Sequence, residues 1–380
     1  MNMRGVLMAP RVSGGSIRSA PVRAAASTHC REPGVAGTTV GNQVPPAALA
    51  HPPAFATSAP GIALNLALPP IYDKNLKFQK VEWVAEMKRH SVLDSLTAAD
   101  VRREPYPHVV IENCLPGRYF DELAATYPSN DTILDFCRVH PARRFDFSEG
   151  AAKQNYRYDI STRQVLEKPD CIPEIWRDFI THHTSRDFFQ QVVGILGPEI
   201  RKTYPFLEKR LDKPLEELSA GVRWRSACDI YLDCQIGINT PATQVSSARG
   251  VHADAREELF AILLYFKDAE DDTAGGDLEI YRWRNPKKKY FLGSEADPSA
   301  AERVDTVPYK ANTMVMFLNT QDSLHAVTPR APSRHTRKLV NIIGEVGEAF
   351  PHGLFSRPKK KNLDYIRKKV MSLASPLRGS

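Results

Sequence analysis

The stretch that decides the fold is GVHADAREELFAILLYF, residues 250–266, in which a His-x-Asp pair stands shortly before an apolar run. His252 and Asp254 are two residues apart, so on an extended chain their side chains project from the same face. An imidazole and a carboxylate can therefore reach one metal ion from one strand edge. The run LFAILLYF that follows has the length and composition of a buried β-strand.

A third ligand is predicted at His325, in the segment FLNTQDSLHAVTPR, directly after another apolar run. Two histidines and one carboxylate form the facial triad that holds iron(II) in non-haem oxygenases and leaves coordination positions open. A bidentate 2-oxo acid and dioxygen can occupy those open positions. A lone His-x-Asp pair arises by chance in many chains, so the prediction depends on the order of the elements around it.

Several short β-rich runs surround the His-x-Asp pair and are separated by turn signals. They are VRWRSACDIYLDCQIG, LFAILLYF, GDLEIYRW, TMVMFLN and KLVNIIGEV. Runs of this length and spacing predict a sandwich or barrel rather than alternating β-strands and helices. We therefore expect a mainly β fold with flanking α-helices, its core at residues 219–348.

The region before this core, residues 71–218, is predicted to be a helical support region with an early strand. The clearest helix is predicted at residues 173–198, begun by Pro173 and stopped by Gly197 and Pro198. NYRYDIST is predicted to be either a strand or a loop over the site. The other predicted elements are one or two helices at 77–96, a strand at 106–116, a helix at 117–128 and another helix near 199–218.

Both ends of the chain carry the basic excess behind the formal net charge of +7. Residues 1–70 hold ten of the 29 prolines and show no hydrophobic period, which predicts a disordered or targeting tail. The first 31 residues are rich in Arg and Ser and free of acids until Glu32, as in organelle transit peptides. Residues 349–380 are predicted to be a basic C-terminal tail that contains a helix.

The remaining composition is that of an ordinary globular protein, with 42% hydrophobic and 25% charged residues. The six cysteines form no CxxC pair and show no regular spacing, so they indicate neither a disulfide framework nor a zinc site. No apolar run reaches the roughly 18 residues that span a bilayer. We expect a cytoplasmic protein, with organelle import as the alternative if residues 1–31 are a transit peptide.

The segment 231–343 resembles the catalytic core of the prolyl-4-hydroxylase-like branch of the 2-oxoglutarate/Fe(II)-dependent dioxygenases. The resemblance depends on an ordered set of motifs: His252-Ala253-Asp254, Leu264-Tyr265-Phe266, Gly275-Gly276-Asp277-Leu278, His325-Ala326-Val327 and Arg337-Lys338-Leu339. It implies a double-stranded β-helix, a jelly-roll or cupin-like core, supported by N-terminal helices. It also implies Fe(II), 2-oxoglutarate as cosubstrate and O2, with ascorbate as a candidate reductant.

The distal carboxylate of 2-oxoglutarate needs a buried cation, and in related enzymes a basic residue follows the second histidine by about ten positions. Arg330, Arg334 and Arg337 compete for this role. Spacing alone favours Arg334, but Arg337 opens the strand RKLVNII and is the preferred candidate. The resemblance implies Tyr265 as a phenol donor, and Asn239 either contacts the cosubstrate or makes a turn before Pro241.

The resemblance implies a hydroxylase that acts on an unactivated C–H bond and releases succinate and CO2. Related halogenases lack the carboxylate at the position of Asp254, so its presence favours hydroxylation over halogenation. The substrate is a small molecule or a peptidyl residue, and the sequence does not separate the two. Two alternatives remain: a nucleic-acid demethylase on the same fold, and a non-catalytic jelly-roll binding module.

The substrate pocket is predicted to lie beside TPATQVSSAR and NYRYDIST. Four residues in or near these segments could contact an anionic or polar substrate, or could be solvated surface groups: Arg157, Arg163, Gln244 and Arg249. The basic ends of the chain suggest nucleic acid, but the core shows no basic patch interleaved with aromatic residues for base stacking. A nucleic-acid partner is therefore not expected.

Overall fold

The structure is a computed structural model that describes residues 90–140, 143–225 and 227–357. The predicted N-terminal tail at 1–70, most of the predicted helices at 77–96 and the basic C-terminal helix lie outside these residues. From residue 90 to 96 the chain forms a turn rather than a helix. The described part contains no helix long and apolar enough to cross a membrane.

Twelve strands are described in these residues. They are β1 His108–Glu112, β2 Arg157–Ile160, β3 Ala220–Val222, β4 Ile230–Asn239, β5 Glu258–Tyr265, β6 Leu278–Trp283, β7 Phe291–Leu292, β8 Glu295–Ala296, β9 Ala301–Val307, β10 Thr313–Leu318, β11 His325–Val327 and β12 Arg337–Val346. NYRYDIST therefore contains a strand, and the five predicted β runs overlap β4, β5, β6, β10 and β12.

The described helices all precede β3, apart from one 3-10 turn. They are α1 Gly117–Ala125, α2 Asn130–Arg138, α3 Glu149–Ala152, α4 Thr162–Glu167, α5 Glu174–His183, α6 Arg186–Thr203 and α7 Leu207–Leu211. Short 3-10 turns occur at Ala98–Asp100, Pro169–Cys171, Leu215–Glu217 and Pro298–Ala300.

The large sheet has the strand order β1-β10-β5-β12-β4-β2, all antiparallel, and β3 pairs in parallel with β4. A smaller antiparallel sheet has the order β11-β6-β9, and β7 pairs with β8. Strands β1 and β2 come from the region before residue 218. That region therefore supplies two strands of the large sheet as well as the helices that pack on it. The fold is mainly β with flanking helices, as the sequence predicts.

The two faces of the large sheet bury different partners because side chains alternate along each strand. One face packs on the helices, where Ile236 of β4 and Val340 of β12 join Trp176 of α5 in the main hydrophobic core. The opposite face packs on the small sheet, where Leu339 of β12 and Leu278 of β6 belong to a second core. Each large apolar side chain buried in these cores contributes about 1.5–3 kcal/mol. This double layer supports the cavity described below.

The prediction of one helix over residues 173–198 is wrong at both its middle and its end. Ser185 breaks the helix because its hydroxyl caps α6, accepting a hydrogen bond of 3.2 Å from the Phe188 N–H. Helix α6 then continues through Pro198 to Thr203. Gly197 precedes the proline and has no Cβ to clash with the pyrrolidine ring, which removes part of the usual penalty. The predicted helix near 199–218 is accordingly the end of α6 followed by the short α7.

Candidate active site

His252 and His325 are held opposite each other by the main chain. The N–H of His252 donates to the carbonyl of His325 at 2.9 Å, and the N–H of His325 donates to the carbonyl of His252 at 2.9 Å. This reciprocal pair forms an isolated antiparallel bridge between the loop before β5 and the start of β11. Two residues far apart in sequence therefore present their imidazoles side by side, with ring centroids 4.3 Å apart.

Asp254 completes the cluster. Its Oδ1 lies 3.5 Å from His252 Nε2, and its Oδ2 lies 3.6 Å from His325 Nε2. One ligand atom from each of the three residues lies within 4.8 Å of the other two. Ligands bound at about 2 Å from one ion lie no more than about 4 Å apart, so the three atoms need to move together by less than about 1 Å to share an ion. The structure thus brings together the three residues predicted as ligands.

The second nitrogen of each imidazole is bound to the backbone. His252 Nδ1 lies 2.7 Å from the Gly250 carbonyl, and His325 Nδ1 lies 3.0 Å from the Ser323 carbonyl. A carbonyl oxygen only accepts, so in each ring Nδ1 carries the proton and Nε2 keeps its lone pair when the ring is neutral. Both Nε2 atoms face Asp254 and are available as ligands, in the tautomer that metal-binding histidines need.

The charges at the cluster suit metal binding as well. Burial lowers the pKa of His325 to about 4, although the nearby Asp254 carboxylate opposes this shift. Burial acts to raise the pKa of Asp254, but His325 and His252 together outweigh it and hold that pKa below its ordinary value. At neutral pH His325 is therefore uncharged and Asp254 is ionised, the states in which these groups bind a metal.

Arg337 is buried at the start of β12 and lines the cavity that contains the three ligands. Its Nε donates to the Gly276 carbonyl at 3.0 Å, and its guanidinium lies 5.1 Å from the ring centre of Tyr265 and 4.7 Å from that of Tyr309. Gly276 has φ +85°, and a Cβ there would lie 3.3 Å from Arg337 Cδ. The glycine pair predicted before β6 therefore makes room for this arginine.

The other arginines predicted for the cosubstrate are placed differently. Arg334 is exposed and does not line the cavity. Arg330 is buried, but its guanidinium donates to the Thr240 and His335 carbonyls at 3.1 and 2.9 Å, so it fastens loops together. Asn239 lines the cavity, and its Nδ2 donates to the Asn155 carbonyl at 3.1 Å.

Tyr265 packs against Arg337 but is not among the residues that line the cavity, and its buried hydroxyl has no hydrogen bond of normal geometry within the described residues. Burial raises the pKa of this phenol, although the charge of Arg337 and its interaction with the hydroxyl oppose the shift. An unpaired buried hydroxyl is costly unless a ligand pairs with it. A buried cation beside an unpaired donor is the environment that a ligand carboxylate requires.

Strand register explains which side chains reach the cavity. Arg157 of β2 pairs with Asn239 of β4, which in turn pairs with Arg337 of β12, so all three share one row and one face. The cavity has a volume of about 480 Å³, within the usual range for small-molecule sites.

Among the predicted substrate residues, Arg157 and Arg249 line this cavity. Gln244 is exposed and Arg163 bonds Glu167 at 2.7 Å, and neither lines it.

Three residues near the site were not predicted from the sequence. Arg357 donates through Nη2 to the Ala253 carbonyl at 2.9 Å and also to the Asp254 carbonyl, so it fastens the backbone of the His-x-Asp segment. Arg143 and Glu258 line the cavity. Burial, with help from Asp254, raises the pKa of Glu258 well above its ordinary value. No local pattern marks these residues, because their roles depend on contacts distant in sequence.

Residues 243–342 match the family model described as the 2OG-Fe(II) oxygenase superfamily. The matched segment contains His252, Asp254, His325 and Arg337, so this part of the chain is similar to that superfamily. The resemblance inferred from the ordered motifs is therefore confirmed. Among curated proteins, none matches this chain.

Several solved structures are similar. A prolyl-4-hydroxylase of Pseudomonas putida is 14% identical over 63% of this chain and 92% of that chain, with a TM-score of 0.32. A prolyl hydroxylase of Trichoplax adhaerens, in complex with a hypoxia-inducible-factor peptide fragment, is 12% identical over 73% of this chain and 96% of that chain, with a TM-score of 0.34. A non-haem alpha-ketoglutarate-dependent carbocyclase from nogalamycin biosynthesis is 14% identical over 73% and 93%, with a TM-score of 0.36.

Proposed function

We propose that this protein is an Fe(II)- and 2-oxoglutarate-dependent hydroxylase that oxidises an unactivated C–H bond and releases succinate and CO2. The observation that carries the proposal is the His252, Asp254 and His325 cluster, whose ligand atoms lie within 4.8 Å of one another. Its substrate is a small molecule or a peptidyl residue.

The donor set fits iron(II). Two imidazole nitrogens and one carboxylate on one side of an ion leave the other side open for ligands. Bound iron would supply the activation of dioxygen, coupled to oxidative decarboxylation of 2-oxoglutarate. The protein's contribution is to hold the three donors through the paired backbones of His252 and His325. Ascorbate is proposed as the reductant that maintains the ferrous state.

Arg337 and Tyr265 fit the distal carboxylate of 2-oxoglutarate. The planar guanidinium can donate two parallel hydrogen bonds to a carboxylate. The unpaired hydroxyl of Tyr265 can donate a third. Asn239 lies in the same row as Arg337 and is proposed as a further polar contact on the cavity wall. Arg334 is not proposed, because its side chain is exposed.

Apolar side chains complete the wall between these polar groups. They belong to the facing sheets and include Leu278, Phe317, Val327 and Leu339. Such a wall limits water around the cosubstrate and strengthens the charge–charge and hydrogen-bonding interactions within the cavity.

We propose that the catalytic core extends over 219–348, with residues 71–218 as its support, and that the protein works in the cytoplasm unless residues 1–31 direct its import.

Turnover of 2-oxoglutarate tests this function. The purified full-length chain, given Fe(II), ascorbate, 2-oxoglutarate and O2, is expected to form succinate slowly even without its substrate. Succinate formation should stop when Fe(II) is chelated, and it should be lost in the Asp254→Ala variant. Equal succinate formation by wild type and Asp254→Ala would exclude the proposed role of the cluster.

A further inference from the structure

A second cationic group lies in the same cavity, on the edge strand β2. The carboxylate of Asp159 is shared by two arginines: Arg143 Nη1 donates to Oδ2 at 2.8 Å, and Arg157 Nε donates to Oδ1. All three side chains line the cavity that holds the metal ligands. One carboxylate cannot satisfy two guanidinium groups, each of which has five N–H donors. Donors and one positive charge are therefore left over at this wall.

The backbone is shaped to hold this group against the sheet. Gly237 of β4 pairs with Asp159 of β2, and a Cβ on Gly237 would lie 2.6 Å from Asp159 Oδ1 and 2.7 Å from Arg157 Nη2. The Arg157 guanidinium therefore lies directly over a position that has no side chain. Any other residue at 237 would displace either the arginine or the carboxylate, so the glycine preserves the geometry of the pair.

Arg157 is separate from the arginine proposed for 2-oxoglutarate. Arg157 and Arg337 flank Asn239 in one row of the sheet. Their Cα atoms are thus two strand spacings apart, about 10 Å. Arg157 is 24% exposed and Arg143 is 47% exposed, whereas Arg337 is buried. One cavity therefore has a buried cation and a more accessible cationic pair.

The charge balance of the cavity wall favours a second anion. Four arginines line it: Arg143, Arg157, Arg249 and Arg337. Three carboxyl groups line the same cavity, but Asp254 is a proposed metal ligand, and burial together with Asp254 raises the pKa of Glu258, which disfavours its charged form. Among the described lining residues, Asp159 is the carboxyl group that hydrogen-bonds the arginines. Binding of 2-oxoglutarate at Arg337 leaves the positive charge on the β2 side unbalanced.

We propose that the substrate carries an anionic group, a carboxylate or a phosphate, which binds to the paired guanidinium groups of Arg143 and Arg157 above Gly237. Arg249, whose Nη1 lies 3.6 Å from Asp254 Oδ1, adds a further positive charge to the cavity. That the bound anion belongs to a substrate rests on the proposed function, but anion binding by the arginine pair does not depend on the metal.

The test measures anion binding by isothermal titration calorimetry, with inorganic phosphate and acetate as separate probes. In the first arm, the full-length protein is loaded with Mn(II) and saturated with 2-oxoglutarate, so Arg337 is occupied. In the second arm, the metal-free Arg337→Gln variant is used, so that binding at Arg337 is removed by substitution. Tighter binding of acetate or of phosphate identifies which anionic group the site prefers.

Arg157→Gln and Arg143→Gln are each expected to weaken binding of the preferred anion about tenfold or more in both arms. Arg163→Gln is the matched control, since Arg163 pairs with Glu167 and does not line the cavity; it should leave the affinity unchanged. Circular dichroism checks the fold of each variant. If Arg157→Gln fails to fold, the more exposed Arg143→Gln decides the result.

The outcomes separate this inference from the proposed function. Absence of saturable binding of either anion, or equal affinity in wild type and Arg143→Gln, would overturn the anion site. Loss of 2-oxoglutarate binding in the first arm would contradict the proposed function alone. The second arm contains neither metal nor cosubstrate, so it would still report on the arginine pair.

Discussion

His252 and His325 exchange both main-chain hydrogen bonds, each 2.9 Å long, so the backbone sets the distance between the two imidazoles. Their ring centroids lie 4.3 Å apart in consequence. The imidazoles would bind the metal, and the main-chain bridge sets the distance between them. Replacing either buried imidazole should therefore remove a ligand and leave the bridge intact. Loosening the backbone should instead weaken metal binding with all three ligands present.

The Arg357→Ala variant tests whether loosening the backbone of the His-x-Asp segment weakens metal binding. Arg357 donates hydrogen bonds to the backbone carbonyl groups of Ala253 and Asp254, which are not the proposed ligand atoms. Its loss should loosen the His-x-Asp segment and weaken metal binding about 10-fold or more, the usual cost of removing a group that orients a ligand. Mn(II) affinity, measured by electron paramagnetic resonance titration, is the readout.

Arg210→Ala is the control for this variant. The Arg210 guanidinium lies 4.9 Å from the ring centre of Phe350, so it also packs on the C-terminal segment, but it does not contact the His-x-Asp backbone. Its Mn(II) affinity should equal that of wild type. Equal affinities for Arg357→Ala and Arg210→Ala would show that the carbonyl contacts do not orient the site.

Arg337→Gln should weaken 2-oxoglutarate binding by about 1.5–3 kcal/mol, the scale of a hydrogen bond to a charged group. Arg334→Gln, only three residues away, should bind 2-oxoglutarate like wild type, because Arg334 is exposed and outside the cavity. Calorimetric titration of the Mn(II)-loaded variants measures both. The reverse pattern would contradict the role of Arg337 and favour the spacing argument.

Tyr309→Phe should lower stability, whereas Tyr265→Phe should weaken 2-oxoglutarate binding and leave stability nearly unchanged. The Tyr309 hydroxyl accepts from the Lys338 N–H at 2.8 Å, so its removal should lower the free energy of unfolding by about 1–3 kcal/mol. The Tyr265 hydroxyl is unpaired, so its removal should leave stability nearly unchanged and weaken 2-oxoglutarate binding by about 0.5–1.5 kcal/mol. Chemical unfolding and calorimetry measure the two effects. A large stability loss in Tyr265→Phe would show that its hydroxyl is already satisfied.

His183 should make the support region sensitive to acid. Its Nδ1 donates to the Phe179 carbonyl at 2.7 Å and its Nε2 accepts from the Val92 N–H at 3.1 Å, so the buried ring fits only when neutral. Burial lowers the pKa of His183 to about 3 from an ordinary 6.5. Above pH 6.5 the ring is neutral in both the folded and the unfolded chain.

Between about pH 6.5 and 3, the unfolded chain takes up a proton at His183 that the folded protein does not. The free energy of unfolding should therefore fall by up to about 1.4 kcal/mol per pH unit from this group as the pH decreases. His183→Gln should show a shallower pH dependence than wild type in urea unfolding. The exposed His352→Gln is the control and should keep the wild-type slope. Identical slopes in all three proteins would contradict this role.

The clustering of His252, Asp254 and His325 could be predicted from the sequence because each comes near a strong apolar run. LFAILLYF and TMVMFLN are recognisable strands, and His252 and His325 lie close to them in sequence. Arg337 was preferred over Arg334 because it opens the strand RKLVNII, and the structure places both Arg337 and Leu339 on the cavity wall. Where the local pattern agreed with the final environment, the sequence located these side chains correctly.

The remaining features depend on contacts that no local pattern carries. Strand β9, AERVDTV, is mostly exposed and polar, so it lacks the alternation that marks a half-buried strand. The predicted stop at Gly197-Pro198 is wrong because packing in the core sustains α6 past the proline. Arg357 lies about a hundred residues after the carbonyl groups it binds, a pairing visible only in the folded chain.

The most direct measurement is an anaerobic titration of the full-length protein with Fe(II) and then 2-oxoglutarate, followed by visible absorption. Wild type is expected to bind both and to develop the weak charge-transfer band of a chelated 2-oxo acid. His252→Ala, with its backbone bridge to His325 intact, is expected to lose the band and most of its Fe(II) affinity. Equal binding of both ligands by wild type and His252→Ala would contradict the central claim that these side chains form one iron site.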